Sequence, residues 1–249
     1  MTGDVMQDLG IHPGRRNNTR FAPTPRSGLH IGHVWLAWLN YEEARRRGGK
    51  FIVRMETMLI KRNQIDEVKH DNTFMKRDVA MILDQLEWMG IPPDFVSWED
   101  VEQMVVDAVL ENHPEIPRTS VPMNFTIGTK DSIGIRCAFH ETAPRVISDY
   151  YLGCNPIIRG DDLLCEHFFY VWMCQHLGFP IPEMIYVPRI RDENGREVSR
   201  TAGATGVDEM RKKGLTPDDI KGIIRQTCLA DPNGEVSLAN LAYNPIVRS

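Results

Sequence analysis

Residues 19–56 restrict the fold of this chain more than any other part of the sequence. Thr19 to Pro23 has the composition of a short strand, and Ile31 to Arg47 repeats apolar residues at helical spacing. Two glycines end that helix, and Lys50 to Glu56 then contains a second apolar strand. A strand, a helix and a strand in this order form a βαβ unit, whose strands lie parallel in one sheet with a right-handed crossover. The pattern therefore predicts an α/β domain.

The same alternation of strand and helix returns in the second half of the chain. Asn155 to Arg159 has the pattern of a buried strand, Asp161 to Leu177 that of the helix following it, and Met184 to Arg189 that of another short strand. Helical patterns then cover Val207 to Lys213 and Pro217 to Leu229. A second βα unit is therefore expected, followed by a small helical segment.

The region between the two halves is less regular. Apolar spacing predicts a long helix over Asp66 to Met89 and another that begins with Ser97 as its cap and runs through Leu110. Glu111 to Lys130 contains His, Pro, Thr and Gly without a period, which predicts an irregular insertion on the scaffold.

Composition excludes several classes of protein. Of the 249 residues, 42% are hydrophobic and 25% charged, so the chain can bury a core and is neither disordered nor a coiled coil. No stretch approaches the roughly 20 apolar residues of a membrane span, and the polar Met1 to Asn18 segment lacks the apolar region of a secretory signal. A net charge of -5 gives no overall positive field toward nucleic acid. We expect a cytoplasmic protein that contacts no membrane and meets any nucleic acid through local patches.

The junction between the first strand and the first helix carries the most chemical information. The run from Arg20 to His33 places the imidazoles of His30 and His33, together with free backbone N–H groups, at a helix N-terminus. Such a terminus favours anions, so a polyphosphate is its natural ligand. Gly32, which has no side chain, would let a flat base approach the backbone. In the alternative interpretation His30 only caps the helix and His33 lies in the core.

This run resembles the first signature of the class I aminoacyl-tRNA synthetases, most closely the glutamyl and glutaminyl group. Three later segments resemble further motifs of that group and occur in the family's order: Phe51 to Glu56, Pro156 to Leu163, and Gly195 to Arg200, the last being similar to the second signature loop. A single His-x-Gly-His motif would be weak support, whereas four ordered motifs are hard to obtain by chance.

The resemblance implies an α/β fold, a Rossmann-like doubly wound parallel sheet with a short insertion and a small helical C-terminal segment. We expect residues 1–93 to form the first half of the catalytic domain, 94–140 a compact connective insertion, 141–205 the second half with the signature loop, and 206–249 the helical segment. The residues after Arg200 are too few for an anticodon-binding domain. The expectation is a catalytic domain alone, similar to the short paralogue that glutamylates queuosine in tRNA(Asp).

The resemblance also implies roles for individual residues. Charge that develops on the α-phosphate during adenylation would be stabilised by three catalytic residues, His30, His33 and Arg200. The residues implied to bind ATP are Ala22, Gly32, Asp162, Val198 and Ser199. Those implied to bind the amino acid are Arg20, Thr24, Glu56, Glu141, Arg145 and Arg159.

Chemistry supports several of the amino-acid ligands. Glu56 would pair with the ammonium group, and the guanidinium groups of Arg20 and Arg159 would hold an acidic side chain in bidentate fashion. The alternatives are an exposed strand-end carboxylate for Glu56 and structural ion pairs for the two arginines. The implied small molecules are ATP with Mg²⁺ and an amino acid. No protein metal site is predicted, since none of the five cysteines lies in a C-x-x-C pair.

The implied macromolecular partner is the acceptor stem of a tRNA, bound by a monomer. Two basic runs, Arg45 to Arg47 and Arg211 to Lys213, each end a predicted helix just before a glycine. They would either contact phosphates of that stem or be solvated helix ends with favourable dipole contacts.

The chain departs from the family's pattern at positions that bear on activity. Glu197 stands where the second signature loop has its first lysine, Arg200 replaces the catalytic lysine, and Thr201 replaces an arginine. Glu141 replaces a pocket tyrosine and would either reject a substrate carboxylate or pair with an arginine.

Three functions therefore stay open beside the activation of a glutamate-like amino acid for tRNA. They are an adenylating paralogue with a modified-nucleoside, protein or small-molecule acceptor, a non-catalytic paralogue that binds a nucleotide, tRNA or protein, and a His-x-Gly-His nucleotidyltransferase. The last is the least supported, because its usual I-S-S-T-x-I-R run is absent from the sequence.

Overall fold

A computed structural model describes residues 17–25, 28–56, 72–116, 121–127, 131–137, 139–188, 190 and 206–228. The first half alternates strands and helices: β1 (Thr19–Phe21), α1 (Ile31–Arg47), β2 (Phe51–Met55), α2 (Asn72–Trp88), β3 (Phe95–Trp98) and α3 (Glu99–Glu111). β1, β2 and β3 pair side by side and parallel, with Arg20 opposite Ile52 and Ile52 opposite Phe95.

The second half begins with an antiparallel hairpin and returns to parallel strands. Its elements are β4 (Val121–Ile127), β5 (Asp131–Cys137), α4 (Phe139–Tyr151), β6 (Ile157–Gly160), a 3₁₀ helix (Asp161–Glu166), α5 (His167–His176), β7 (Met184–Val187), α6 (Val207–Lys212) and α7 (Pro217–Cys228). β4 pairs with β5, and β6 pairs parallel with β7.

Backbone hydrogen bonds just before β1 and β6 join the two parallel sheets. Asn18 forms a parallel bridge with Cys154, and the Asn155 N–H donates to the Asn18 carbonyl over 2.8 Å. β1 therefore has β2 on one side and β6 on the other, so the connections after β1 and β6 lead in opposite directions. Ligands of open α/β sheets bind at such a topological switch point, beyond the carboxyl ends of its strands.

Helix α1 positions this switch point by packing its apolar face on the sheet. Val34, Trp35, Trp38 and Leu39 are all buried, as their i, i+1, i+4, i+5 spacing on one helical face requires. The helix ends at Gly48, whose φ of 66° is the left-handed conformation that glycine adopts without a Cβ penalty. The predicted bounds of α1 are thus confirmed at both ends.

Three parts of the local prediction were wrong. Strand β3 was not predicted, and Ser97 lies within it rather than capping a helix, because the N-cap is Trp98. The strand is only four residues long and runs directly into Glu99, so its apolar residues read as the start of the helical pattern. The 111–130 region was predicted to be irregular, yet Val121–Ile127 forms β4.

The helix predicted over Asp161 to Leu177 also differs from the structure. Its first turns, Asp161–Glu166, form a 3₁₀ helix, and the α-helix begins only at His167. The 3₁₀ helix contains no buried residue, so no core packing favours the α-helical geometry there. Where the structure describes the chain, no helix combines the length and apolarity needed to cross a membrane.

We expect Gly49→Ala to destabilise the protein by about 1–3 kcal/mol, the usual cost of overpacking. A Cβ at Gly49 would overlap the backbone carbonyl of Asn17, which cannot move aside as a side chain would. Gly222→Ala is the matched control, since a Cβ there meets open space inside α7 and should add about 0.5–1 kcal/mol of stability. Urea unfolding of both variants measures the difference, and equal effects would contradict the packing at Gly49.

Candidate active site

A cleft of about 480 Å³ lies at the switch point, beyond the carboxyl ends of β1 and β6. It gathers most of the residues that the sequence motifs predicted for the site, although they come from distant parts of the chain. The predicted residues that line it are Arg20, Ala22, Thr24, His30, Gly32, His33, Glu56, Arg145, Arg159 and Asp162. Val198, Ser199 and Arg200 lie outside the described residues, as does the side chain of Glu141.

His30 both caps α1 and lines the cleft. Its Nδ1 accepts a hydrogen bond from the Gly32 N–H over 3.1 Å, and its ring stacks on that of His33 with centroids 3.7 Å apart. Since Nδ1 is an acceptor, a neutral His30 carries its proton on Nε2. The interpretation of His30 as a cap is thus confirmed, and the same residue lines the predicted anion site. His33 also lines the cleft rather than lying in the core.

Gln85 of α2 holds the loop before α1 in place. Its Oε1 accepts from the Leu29 N–H over 2.6 Å, and the Gln85 side chain is buried. Gly28 lies so close to it that a Cβ there would be 3.0 Å from Gln85 Cδ, which explains the glycine. Nothing in the motifs pointed to Gln85, because its contact with residues 28–29 exists only once α2 packs beside the sheet.

The described residues on either side of the second signature loop both lie at the cleft. Ile190 lines it, and Gly206 forms an antiparallel bridge with His30. Next to that bridge, the Val207 N–H donates to the Leu29 carbonyl over 2.8 Å. The described residue before the loop thus lines the cleft, and the described residue after it pairs with His30, which also lines the cleft.

Arg20 forms a buried ion pair with Asp149 at the back of the cleft. Its Nε lies 2.6 Å from Oδ1 and its Nη2 lies 3.0 Å from Oδ2 of Asp149, and Tyr170 donates its hydroxyl to Oδ2 over 2.8 Å. Burial alone would raise the pKa of Asp149, but the Arg20 charge and these hydrogen bonds lower it below its ordinary value. This geometry corresponds to the structural ion pair considered above for Arg20, and Asp149 was not predicted from the sequence.

A second set of charges surrounds three residues that line the cleft, Glu56, Arg145 and Arg159. Arg145 Nε lies 3.6 Å from Glu56 Oε1, and Arg54 Nη1 lies 3.5 Å from the same oxygen. Glu166, on the 3₁₀ helix, receives a hydrogen bond of 2.8 Å from Arg159 Nη2 and one of 3.3 Å from Arg145 Nη1. Glu56 is thus an engaged carboxylate rather than an isolated strand-end group.

Glu166 is the main site residue that the sequence analysis missed. It follows the Pro156 to Leu163 motif by three residues and has no counterpart among the residues carried over from the family. Only the 3₁₀ turn after β6 brings its carboxylate back onto Arg159. The described side chains include no group of three or more His, Cys, Asp or Glu that could hold a metal ion.

Comparison with known proteins agrees with the fold and the motifs. The family profile described as "tRNA synthetases class I (E and Q), catalytic domain" matches residues 17–108. Glutamate–tRNA ligase 1 of Wolinella succinogenes is 25% identical, with 81% of this chain and 55% of the ligase covered. Glutamate–tRNA ligase 2 of Rickettsia akari is 26% identical, with 88% and 59% covered. The chain thus spans a little over half the length of these curated relatives.

Solved structures share the architecture at lower sequence similarity. The glutamate tRNA ligase of Elizabethkingia meningosepticum, solved in complex with its amino acid, superposes with a TM-score of 0.61 at 16% identity, covering 91% of this chain and 64% of that one. Tyrosyl-tRNA synthetase from Aeropyrum pernix gives a TM-score of 0.55 at 17% identity, covering 80% and 62%.

The parallel sheet and its switch-point cleft define a Rossmann-like α/β domain, the fold that these solved synthetase structures share. The profile match over residues 17–108 and the curated relatives make the chain similar to the catalytic domain of the glutamyl- and glutaminyl-tRNA synthetases.

Proposed function

We propose that this protein activates a glutamate-like amino acid with ATP, forming an aminoacyl-adenylate and pyrophosphate, and transfers the acyl group to tRNA. One observation carries the proposal. A single cleft joins a histidine-lined helix N-terminus, suited to phosphates, with three arginines and Glu56, which are suited to a charged amino acid.

The phosphate part of the reaction would take place at α1. An oxygen of the amino acid's α-carboxylate attacks the α-phosphorus of ATP, a P–O bond forms, and the bond to the leaving pyrophosphate breaks. Negative charge grows on the phosphate oxygens, so donors that strengthen in the transition state lower the barrier. His30 through Nε2 and His33 would supply these donors, with Arg200 proposed as the cation from the signature loop. The N–H groups of Gly32, His33 and Val34 already donate to His30, so the two imidazoles rather than the backbone are proposed for this role.

The amino acid would occupy the charged side of the cleft. Glu56 would hold the ammonium group, while Arg159 and Arg145 would hold an acidic side chain. Arg20 already gives two of its donors to Asp149, so we propose that it acts on the substrate mainly as part of that fixed pair. Thr24 and Glu141 stay proposed as amino-acid ligands. Ala22, Gly32, Asp162, Val198 and Ser199 stay proposed as ATP ligands.

Mg²⁺ would enter with the ATP phosphates, as this ion usually binds through substrate phosphates and few protein ligands. Bound there, it would neutralise part of the phosphate charge. The proposed reaction requires no metal site built from protein side chains.

Transfer to tRNA rests on the names of the relatives, which are glutamate–tRNA ligases. The basic runs give it limited support. Arg45 pairs with Asp94, Arg47 with Glu183 and Arg211 with Asp84, so part of their charge is already neutralised, as in solvated helix ends.

ATP–pyrophosphate exchange across the twenty amino acids tests the activation step. We expect exchange with glutamate or a close analogue and little with the others. Exchange with none of them would contradict the proposed enzyme, and tight binding of an aminoacyl-adenylate analogue without turnover would favour a non-catalytic paralogue. Acylation of total tRNA, compared with a tRNA-free extract, then separates a tRNA acceptor from a protein or small-molecule acceptor.

A further inference from the structure

Glu166 contacts both arginines that the proposed function assigns to the substrate side chain. Its Oε2 lies 2.8 Å from Arg159 Nη2 and 3.3 Å from Arg145 Nη1. Arg159 is 3% exposed at its side chain, whereas the side chain of Glu166 is 30% exposed. The nearly buried guanidinium of Arg159 is thus paired with a carboxylate that is more exposed and lies at the end of the 3₁₀ helix.

A carboxylate between two guanidinium groups is what an acidic substrate would itself supply. Arginine forks bind carboxylates by paired hydrogen bonds, and a buried arginine needs a negative partner. Glu166 meets that need in the protein itself. An acidic side chain entering the cleft must share the two arginines with Glu166 or displace its carboxylate.

An uncharged amide side chain would interact with the two arginines and Glu166 differently from a carboxylate. An amide can accept a hydrogen bond from either arginine through its oxygen and donate to Glu166 through its NH₂ group. It brings no second negative charge close to the Glu166 carboxylate, so it pays no repulsion. The carboxylate of Glu166 thus penalises an acid more than an amide of the same shape.

We propose that Glu166 is a specificity-determining residue of the amino-acid pocket, where it lowers the preference for glutamate relative to glutamine. The proposal rests on the proposed amino-acid activation. Removing the charge of Glu166 while keeping its shape leaves Arg145 and Arg159 available to the substrate carboxylate. The ratio of kcat/KM for glutamate to that for glutamine then rises.

The test is ATP–pyrophosphate exchange by the full chain and its Glu166→Gln variant, measured with glutamate and with glutamine. We expect the ratio of kcat/KM values to rise at least about tenfold in the variant, since one neighbouring charge shifts such equilibria by about 10- to 1,000-fold. Glu183→Gln is the matched control, because it also removes one carboxylate paired with an arginine, at 2.8 Å from Arg47. The control should keep the wild-type ratio.

A ratio in Glu166→Gln within twofold of the wild-type ratio would overturn the proposal while leaving amino-acid activation intact. Absence of exchange in every protein would instead contradict the proposed function. In that case calorimetry measures the Kd values of glutamyl- and glutaminyl-sulfamoyl-adenosine for the wild type and for Glu166→Gln. A preference for the glutamyl analogue that rises at least about tenfold in the variant supports the role of Glu166, and a change within twofold overturns it. If circular dichroism shows Glu166→Gln to be unfolded, Glu166→Ser removes the same charge and replaces it in both measurements.

Discussion

Replacing His33 by alanine is expected to lower the rate of ATP–pyrophosphate exchange by about 10²- to 10³-fold, equivalent to about 2.7–4 kcal/mol of transition-state stabilisation. The ring of His33 lines the cleft and stacks on His30 at the N-terminus of α1. A donor in this position would bind the phosphate oxygens most strongly as their charge develops. The loss should therefore fall mainly on kcat, with a smaller change in the KM for ATP.

His113→Ala is the control for this experiment. His113 pairs with Glu115 after the end of α3 and does not line the cleft, so its removal should leave the exchange rate within twofold of wild type. An unchanged rate in His33→Ala, with the variant folded, would show that the first motif does not bind the reacting phosphates.

Replacing Asp149 by asparagine is expected to cost about 3–5 kcal/mol of folding stability, because it leaves the buried charge of Arg20 without a partner. Both members of the pair are nearly inaccessible, with exposed side-chain fractions of 9% for Arg20 and 2% for Asp149. Tyr170, which donates to the same carboxylate, would also lose a charged acceptor. Urea unfolding monitored by circular dichroism measures the change.

Asp84→Asn is the matched control for Asp149→Asn. Asp84 also pairs with an arginine, Arg211, at 3.1 Å, but its side chain is 65% exposed. An exposed pair of this kind contributes at most about 1 kcal/mol. Equal destabilisation by the two substitutions would contradict the claim that breaking the buried Arg20–Asp149 pair costs more than breaking an exposed one.

The stability that the Arg20–Asp149 pair contributes should also depend on pH. The pKa of Asp149 is lower in the folded protein than its ordinary value, so its contribution to stability is complete above the unfolded pKa of about 3.9. That contribution is lost as the pH falls through the folded pKa. The stability difference between wild type and Asp149→Asn should therefore be constant near neutral pH and shrink in acid.

The sequence predicted the parts of the fold that follow from local periodicity. Helix α1 was found where predicted, because its apolar face, its capping histidine and its terminal glycine all act within the same segment. β3 was missed because it has only four residues and α3 begins directly after it at Glu99, with no turn residues between the two elements. β4 was missed although its apolar residues recur at every second position, as in a strand. The Pro, Thr and Gly residues around them led to the interpretation as an irregular insertion.

The residues of the candidate site likewise fall into those that short motifs predict and those that only the folded structure brings together. His30, Glu56 and Arg159 could be predicted because each lies in a short motif whose order and spacing resemble those of a family. Asp149 and Glu166 could not, because their importance comes from contacts across the fold. Asp149 reaches Arg20 from α4, 129 positions away in the chain, and Glu166 reaches Arg145 from a turn 21 positions away. Asp149 and Glu166 matter because of their burial and their ion pairs with arginines. Neither property exists until the sheet has formed.

A crystal structure of the protein with a non-hydrolysable ATP analogue and glutamate tests the central claim most directly. We predict phosphate oxygens within hydrogen-bonding distance of His30 or His33 at the start of α1, with the amino acid beside Glu56 and Arg159. A nucleotide bound elsewhere on the protein, or no nucleotide at millimolar concentration, would contradict the account.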